Sequence, residues 1–257
     1  MSDVVVLKIG GSVQGEEGGA LDVVATLNDS GHSLVVVHGG GPLATEWSGR
    51  LGLDTRFVRG LRVTDAQTRD VALATLTGLA NSRIVAALIA RGVPAVGLSG
   101  IDGGILRADR EDTELGLVGR VSLVDSSLLE ELLEAGRVPV VAPAALDKKD
   151  GEVLNVNGDA AAGAIAASLE ARLLVFVTDV PGVRSKDGKV IASLDAARAK
   201  ALVDDGTIEG GMVPKVEACL IAASAVCRAA IVAARGADAI ERLLTGEPVG
   251  TVFEAAA

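Results

Sequence analysis

The sequence predicts an α/β fold: a three-layer αβα sandwich around an open, mainly parallel central sheet. Three observations predict it. Six short runs of Val, Leu, Ile and Ala are continuously apolar, as in strands covered on both faces. They alternate with helical stretches, and a β-α-β-α order places helices on both sides of a parallel sheet. Apolar residues make up 49% of the 257 but aromatics only 2%, so the core must be assembled from small aliphatic side chains.

Taken in order, residues 4–9 form the first strand, followed by a helix near 19–29. A strand at 34–37 leads into a helix at 43–51, where Trp47 reads as core. Polar–apolar alternation at 53–64 reads as a β-hairpin before a long helix at 65–91, part of which reads as a contact between subunits. A strand at 95–98 precedes a second hairpin, at 103–121, and a helix at 125–135. The strand at 138–141 runs into a third hairpin at 145–155, turned by KKDGE. A helix at 158–169, a strand at 173–177, helices at 194–205 and 215–227 and a strand at 230–232 complete the pattern. The hairpins are expected to lie over the sheet as lids or pocket walls. Two lobes are expected, 1–152 and 153–257, with the boundary near 147–153.

Net charge is −10, which argues against generic binding to nucleic acid or an anionic membrane, where a basic face supplies most of the affinity. A local positive pocket for an anionic small molecule stays compatible with it. Cys219 and Cys227 are eight apart in a helical stretch, about two turns, beyond disulfide reach, and read as buried thiols. The opening MSDVVVLKIGG lacks the features of a signal peptide. The apolar stretch 218–234 is interrupted by Arg228 and is too short for a bilayer. A cytoplasmic protein is expected.

Several segments carry candidate chemistry. The first strand ends in Lys8-Ile9-Gly10-Gly11-Ser12, an ordinary turn or a close backbone approach to phosphate beside a lysine. The second ends in His38-Gly39-Gly40-Gly41-Pro42 at a helix start, a tight turn or an anion site of backbone N–H groups. Two such loops on parallel strands open on the same sheet edge, where α/β ligands sit. In Gly60-Leu61-Arg62-Val63-Thr64-Asp65, Thr64 or Asp65 suits a helix cap, and Arg62 is either solvated or a carboxylate clamp. Asn155 and Asn157 share a face if extended, while Asp159 caps or leads the next helix. Thr178-Asp179-Val180-Pro181-Gly182-Val183 reads as a turn at the sheet edge. In Gly210-Gly211-Met212-Val213-Pro214-Lys215 the proline suits a helix's first turn. Lys215 then lies at a helix N-terminus, a poor place for a cation without an anionic partner.

With these segments in order, the chain resembles the amino-acid kinase family, and within it the N-acetylglutamate kinase branch. The resemblance runs from KIGGS through HGGGP, GLRVTD, ELGLVGRV, NVNGDAAA, TDVPGV and GGMVPK to GEPVGT. It implies a first lobe that binds the amino-acid substrate and a second that binds ATP. By the same resemblance, Lys8 and Lys215 stabilise the transferring γ-phosphoryl from two sides and Asp159 holds both. Gly10, Gly11, Gly40 and Gly41 give backbone donors, while Arg62 and Asn155, with Asn157 beside them, bind the substrate. Asp179, Val180, Pro181, Gly182, Val183 and Arg184, with Thr207, Ile208, Glu209 and Gly211, are expected to line the nucleotide.

The implied reaction is ATP-dependent phosphorylation of the γ-carboxylate of N-acetylglutamate. A carboxylate is already ionised at pH 7, so no general base is needed, and neither His32 nor His38 has a triad-like partner. Mg²⁺ is expected with ATP; no carboxylate cluster reads as a metal cage, so phosphate oxygens and water are expected to hold it. The alternative is a kinase for aminoadipate or glutamate carried on a small acidic protein, which a chain at −10 would dock poorly without a basic patch. Hexameric, arginine-inhibited members carry an extra N-terminal helix, for which a strand starting by Val4 leaves no room. A homodimer without arginine inhibition is expected.

Overall fold

The computed structural model describes residues 2–10, 19–224, 228–233 and 237–253. The chain opens with β1 (Ser2–Ile9), α1 (Ala20–Asp29), β2 (Ser33–His38), α2 (Gly41–Arg50) and a short hairpin, β3 (Phe57–Val58) with β4 (Leu61–Arg62). A continuous helix, Ala66–Ile89, divides into α3 (Ala66–Leu73), a π-helical middle (Ala74–Ala80) and α4 (Asn81–Ile89). Next come β5 (Ala95–Ser99), β6 (Leu106–Arg110), β7 (Val118–Val124), α5 (Ser127–Glu134), β8 (Val138–Ala142), β9 (Ala144–Asp147) and β10 (Val153–Val156). The last third holds α6 (Gly158–Ser168), β11 (Ala171–Thr178), β12 (Ser193–Leu194), α7 (Ala196–Asp204) and α8 (Met212–Ser224). It ends with β13 (Arg228–Ala233), α9 (Asp238–Leu244) and β14 (Thr251–Phe253).

The eight-stranded sheet runs β12-β14-β13-β11-β1-β2-β8-β5. The six strands from β13 to the β5 edge pair in parallel, and β14 meets β13 antiparallel at the other side. Alternation along β1 sets the layers, because successive side chains leave opposite faces of a strand. Val4 and Val6 join a core with α6 and α8 residues such as Ala161, Ile165 and Cys219. Val5, Leu7 and Ile9 join the opposite core with Val23 and Leu27 of α1, Ile84 and Leu88 of α4 and Ile240 of α9. Lys8 shares the parity of Val4 and Val6, so it emerges on the α6 face at the strand's carboxyl end. The sequence pattern itself therefore aims this lysine.

All six predicted strands and all three hairpins are present. The second and third hairpins do not lie separately over the sheet, however. They join edge to edge, β7 with β10 and β6 with β9, and close into a four-stranded barrel. Pairing both edges removes open strand edges that two isolated hairpins would expose. Two elements near the C-terminus, α9 and β14, were too short to stand out by periodicity. Trp47 is only half-buried, with the Arg50 guanidinium 5.0 Å above its ring. The Ala66–Ile89 helix is long and apolar enough for a bilayer by length and composition, yet its α4 portion packs on α1, β5 and β8 in the core. Cys219 is buried; Cys227 and the predicted helix end at 225–227 lie outside the described residues.

Candidate active site

Because β1, β2 and β11 run parallel in register, with Ile9 opposite both His38 and Val177, their carboxyl ends open together. A cleft of about 380 Å³ lies at that edge. It brings together Lys8, Gly10, Gly40, Gly41, Arg62, Asn155, Asn157, Asp159, Asp179 and Lys215 of the predicted site. The charges lining it are Lys8, Arg62 and Lys215 against Asp159 and Asp179, so a chain at −10 concentrates positive charge here.

Asp159 is the hub. Lys8 Nζ donates to its Oδ1, and Lys215 Nζ donates to Oδ2 at 3.0 Å and to Gly211 O at 3.2 Å. Lys8 and Asp159 are each 6% exposed. Burial draws the Lys8 ammonium below the usual lysine range, against the attraction of Asp159. Burial alone would raise the Asp159 carboxyl; the two lysines together outweigh it and hold it below the usual carboxylate range. Two cations share one carboxylate, so one positive charge of the three groups is left over.

The helices that carry the hub are set by small residues. Asn157, not Asp159, caps α6: its Oδ1 accepts from Asp159 N at 2.7 Å and Ala160 N at 3.2 Å. Capping from Asn157 releases the Asp159 side chain to the lysines. One turn further, a Cβ on Gly163 would come 2.9 Å from Ala218 O and 3.2 Å from Ala218 Cα, both backbone atoms of α8. Gly163 and Ala218 each lie a turn beyond Asp159 and Lys215 on facing helices. The close approach at Gly163 therefore sets the reach of Lys215. A glycine in the interior of the Ala-rich α6 sequence was the available signal for this role.

Arg62 is 8% exposed. Its guanidinium donates to Thr45 Oγ1 at 2.9 Å, Gly41 O at 3.0 Å and Thr55 Oγ1 at 3.3 Å, and lies 5.0 Å from the Phe57 ring centroid. Among the described residues no carboxylate pairs with it. A buried, unpaired cation is costly, and an anionic ligand would relieve it. Thr64, missed in sequence as a site residue, ties the region together. It accepts from Asn155 Nδ2 at 3.3 Å, donates to Arg62 O at 2.7 Å, and joins the β6–β7 connection through Leu115 O and Leu117 N. Asp65 caps α3 as predicted, accepting from Thr68 N at 2.8 Å.

Of the predicted nucleotide set, Gly10 and Asp179 line the cleft. Val183 and Ile208 are buried in the core, so only their backbone is available to a ligand. Val183 N donates to Thr251 Oγ1 at 2.8 Å, which fastens the 178–183 turn to the C-terminal strand. Val180, Pro181, Gly182, Arg184, Thr207, Glu209 and Gly211 do not line the cleft. Gly11 lies outside the described residues.

Gly40 has φ 154°, and a Cβ there would meet Leu76 Cδ2 at 2.5 Å. Gly40→Ala should destabilise the fold by ~1–3 kcal/mol, combining backbone strain with overpacking. Adding Leu76→Ala should recover none of the backbone part; denaturant midpoints for the single and double variants check this.

The sequence profile described as the amino acid kinase family matches residues 3–233. The chain belongs to the amino acid kinase family. It is 42% identical over 255 residues to the acetylglutamate kinase of Dehalococcoides mccartyi, covering 97% of this chain and 94% of that protein. It is 46% identical over 226 residues to the acetylglutamate kinase of Geobacillus kaustophilus, covering 87% of each. A crystal structure from Streptococcus mutans UA159 superposes with a TM-score of 0.85 at 27% identity, covering 100% of both chains. In this chain the cleft is where the parallel strands end and the lysine–aspartate hub sits.

Proposed function

We propose that this kinase transfers the γ-phosphoryl of ATP to the γ-carboxylate of N-acetyl-L-glutamate, a step of arginine biosynthesis. The observation that carries the reading is the buried Arg62 guanidinium, which has no carboxylate partner among the described residues and lies in the same cleft as the lysine–aspartate hub. The names of relatives at 42–46% identity support the choice of acid.

In this reaction a carboxylate oxygen forms a bond to the γ-phosphorus as the bond to the β–γ bridging oxygen breaks, and ADP leaves. No proton moves. The protein's task is alignment and charge stabilisation. Arg62 and Asn155 hold the acid. Lys8 and Lys215, aimed by Asp159, face the oxygens on which charge shifts. Residues 1–152, joined by Asn155 from just beyond the boundary, supply the acid side, and 153–257 supply most of the nucleotide side, with Asp179 at its edge. Among the described residues no three Asp, Glu, His or Cys groups form a metal cage, and both Asp159 oxygens are taken by lysines. Mg²⁺ therefore fits as an ion carried on the ATP phosphates, and no step is assigned to it.

The test is ADP release by the purified chain with ATP and, separately, N-acetylglutamate, glutamate, aminoadipate and carbamate. Turnover confined to N-acetylglutamate is the expected result. Preference for aminoadipate, glutamate or carbamate would replace the substrate assignment, and no turnover with any acceptor would sink the kinase reading. Arg62→Lys should raise KM for the acid by ~10–100-fold, the worth of a charged hydrogen-bond pair, and leave KM for ATP nearly unchanged. A homodimer is proposed for the assembly, to be checked by light scattering on a sizing column.

The rate should also be flat with pH from about 6 to 8. The acceptor carboxylate titrates near 4.3 when unperturbed. Burial, aided by Lys8 against the bond to Gly39, holds His38 down at about 4. A rate that rises through pH 6–7 would reveal a base that this chemistry does not need.

A further inference from the structure

A peptide between two glycines is poorly held by its own backbone, because neither flank has a Cβ to restrict φ and ψ. The unit joining Gly39 to Gly40 is such a peptide, and both residues line the cleft. A trans peptide is planar, so the Gly39 carbonyl and the Gly40 N–H must point to opposite sides. Whatever holds the carbonyl therefore aims the N–H.

The imidazole of His38, fully buried at the end of β2, holds this carbonyl. Its Nδ1 lies 2.7 Å from Gly39 O. Its Nε2 lies 3.1 Å from Asn81 Nδ2, and the same amide nitrogen reaches Val140 O at 2.8 Å and Leu98 O at 3.2 Å. Two carbonyl acceptors fix that end of the Asn81 amide as the donor. Nε2 must then offer its lone pair, and the ring proton sits on Nδ1, where it donates to Gly39 O. The remaining polar groups of the loop are already engaged: Gly39 N donates to Ile9 O at 2.9 Å, and Gly40 O accepts from Ala44 N at 3.0 Å. Asn81 opens α4 directly after the π-helical turn whose Leu76 abuts Gly40, so one helix supports the loop at two points.

We infer that His38 and Asn81 are positioning residues for phosphoryl transfer: Asn81 sets the tautomer of His38, and His38 locks the Gly39–Gly40 peptide so that the Gly40 N–H donates into the cleft. The inference rests on the kinase reading above. Neither side chain lines the cleft; both act through the peptide. The lock matters because an N–H aimed at a developing charge assists only if it is already in place when the charge forms.

The test combines a spectrum with kinetics. ¹⁵N resonances of the two histidines, assigned with His32→Gln, should show His38 as the Nδ1–H tautomer in the wild type and a mixture in Asn81→Ala. His38→Leu should lower kcat by ~10²-fold, the scale of a misplaced catalytic group, with KM for ATP and acid within about threefold. His38→Asn, whose amide can place an N–H near the Nδ1 position, should recover most of that loss. An Nε2–H tautomer in the wild type overturns the lock. So does a folded His38→Leu chain with wild-type kcat, or a His38→Asn chain as impaired as His38→Leu. Should His38→Leu fail to fold, the tautomer spectra decide. A wild type that phosphorylates no acceptor would refute the kinase reading, while the spectrum would still read the lock directly.

Discussion

Lys8→Met should lower kcat by ~10²–10³-fold, with KM for either substrate changed only a few-fold, and Lys215→Met should act similarly. In the proposed reaction each lysine faces the phosphoryl group where charge redistributes, so its loss is felt mainly in the transition state. The double variant should fall well short of the product of the singles, because the two ammoniums share one carboxylate and act as a unit. Lys8 also makes a pH prediction. Burial lowers its ammonium from the ordinary 10.5, so the rate should decline as pH rises through that lowered value. Between the folded and unfolded values the unfolded chain holds more protons, so the contribution of Lys8 to stability rises with pH there. Rate and stability thus move in opposite directions. Measuring kcat and the thermal midpoint together between pH 7 and 10 separates deprotonation from unfolding; a rate that stays flat to pH 10 would refute the assignment.

The layers of the fold were legible because β1, β2, β8 and β11 are buried on both faces and so read as unbroken apolar runs. The turn residues made the hairpins equally plain. Their closure into a barrel was not legible, since β7–β10 and β6–β9 pairing joins segments far apart in sequence and leaves no local pattern. For the same reason the hub had to be assembled from pieces: Lys8, Asp159 and Lys215 are separated by 151 and 56 residues. Lys215 did carry a local clue, a cation at a helix N-terminus, and its anionic partner proved to be Asp159. Asn157 shows the opposite case. Its alternation with Asn155 suggested a ligand contact, and both line the cleft, but its carbonyl oxygen caps α6. Cap and ligand contact draw on the same side-chain chemistry, so spacing could not separate them. His38 and Gly163 act through contacts with Asn81 and Ala218, and only the packed structure supplies those.

Asp159→Ala should produce the largest combined loss, in stability and in rate. Both carboxylate oxygens are engaged and the side chain is buried. Removing it leaves the Lys8 ammonium buried without a counter-charge and turns two cations toward each other. Breaking one side of such a pair costs about 3–5 kcal/mol. The rate should fall at least as far as in either lysine variant, because both ammoniums lose their aim. Acid should expose the same dependence in the wild type. The Asp159 carboxyl is held below its ordinary 3.8 by the lysines, so its stabilisation is complete above that value and is lost as pH falls through the lower folded value. Asp159→Asn keeps the shape but gives one lysine an amide N–H in place of an oxygen, so it should lose that acid-dependent component and much of the rate. The decisive measurement pairs Asp159→Ala with Lys215→Ala. Deleting Lys215 as well removes the repulsion and should return part of the stability, but none of the rate. If the double variant instead regains activity, Asp159 is not the group that aims the lysines.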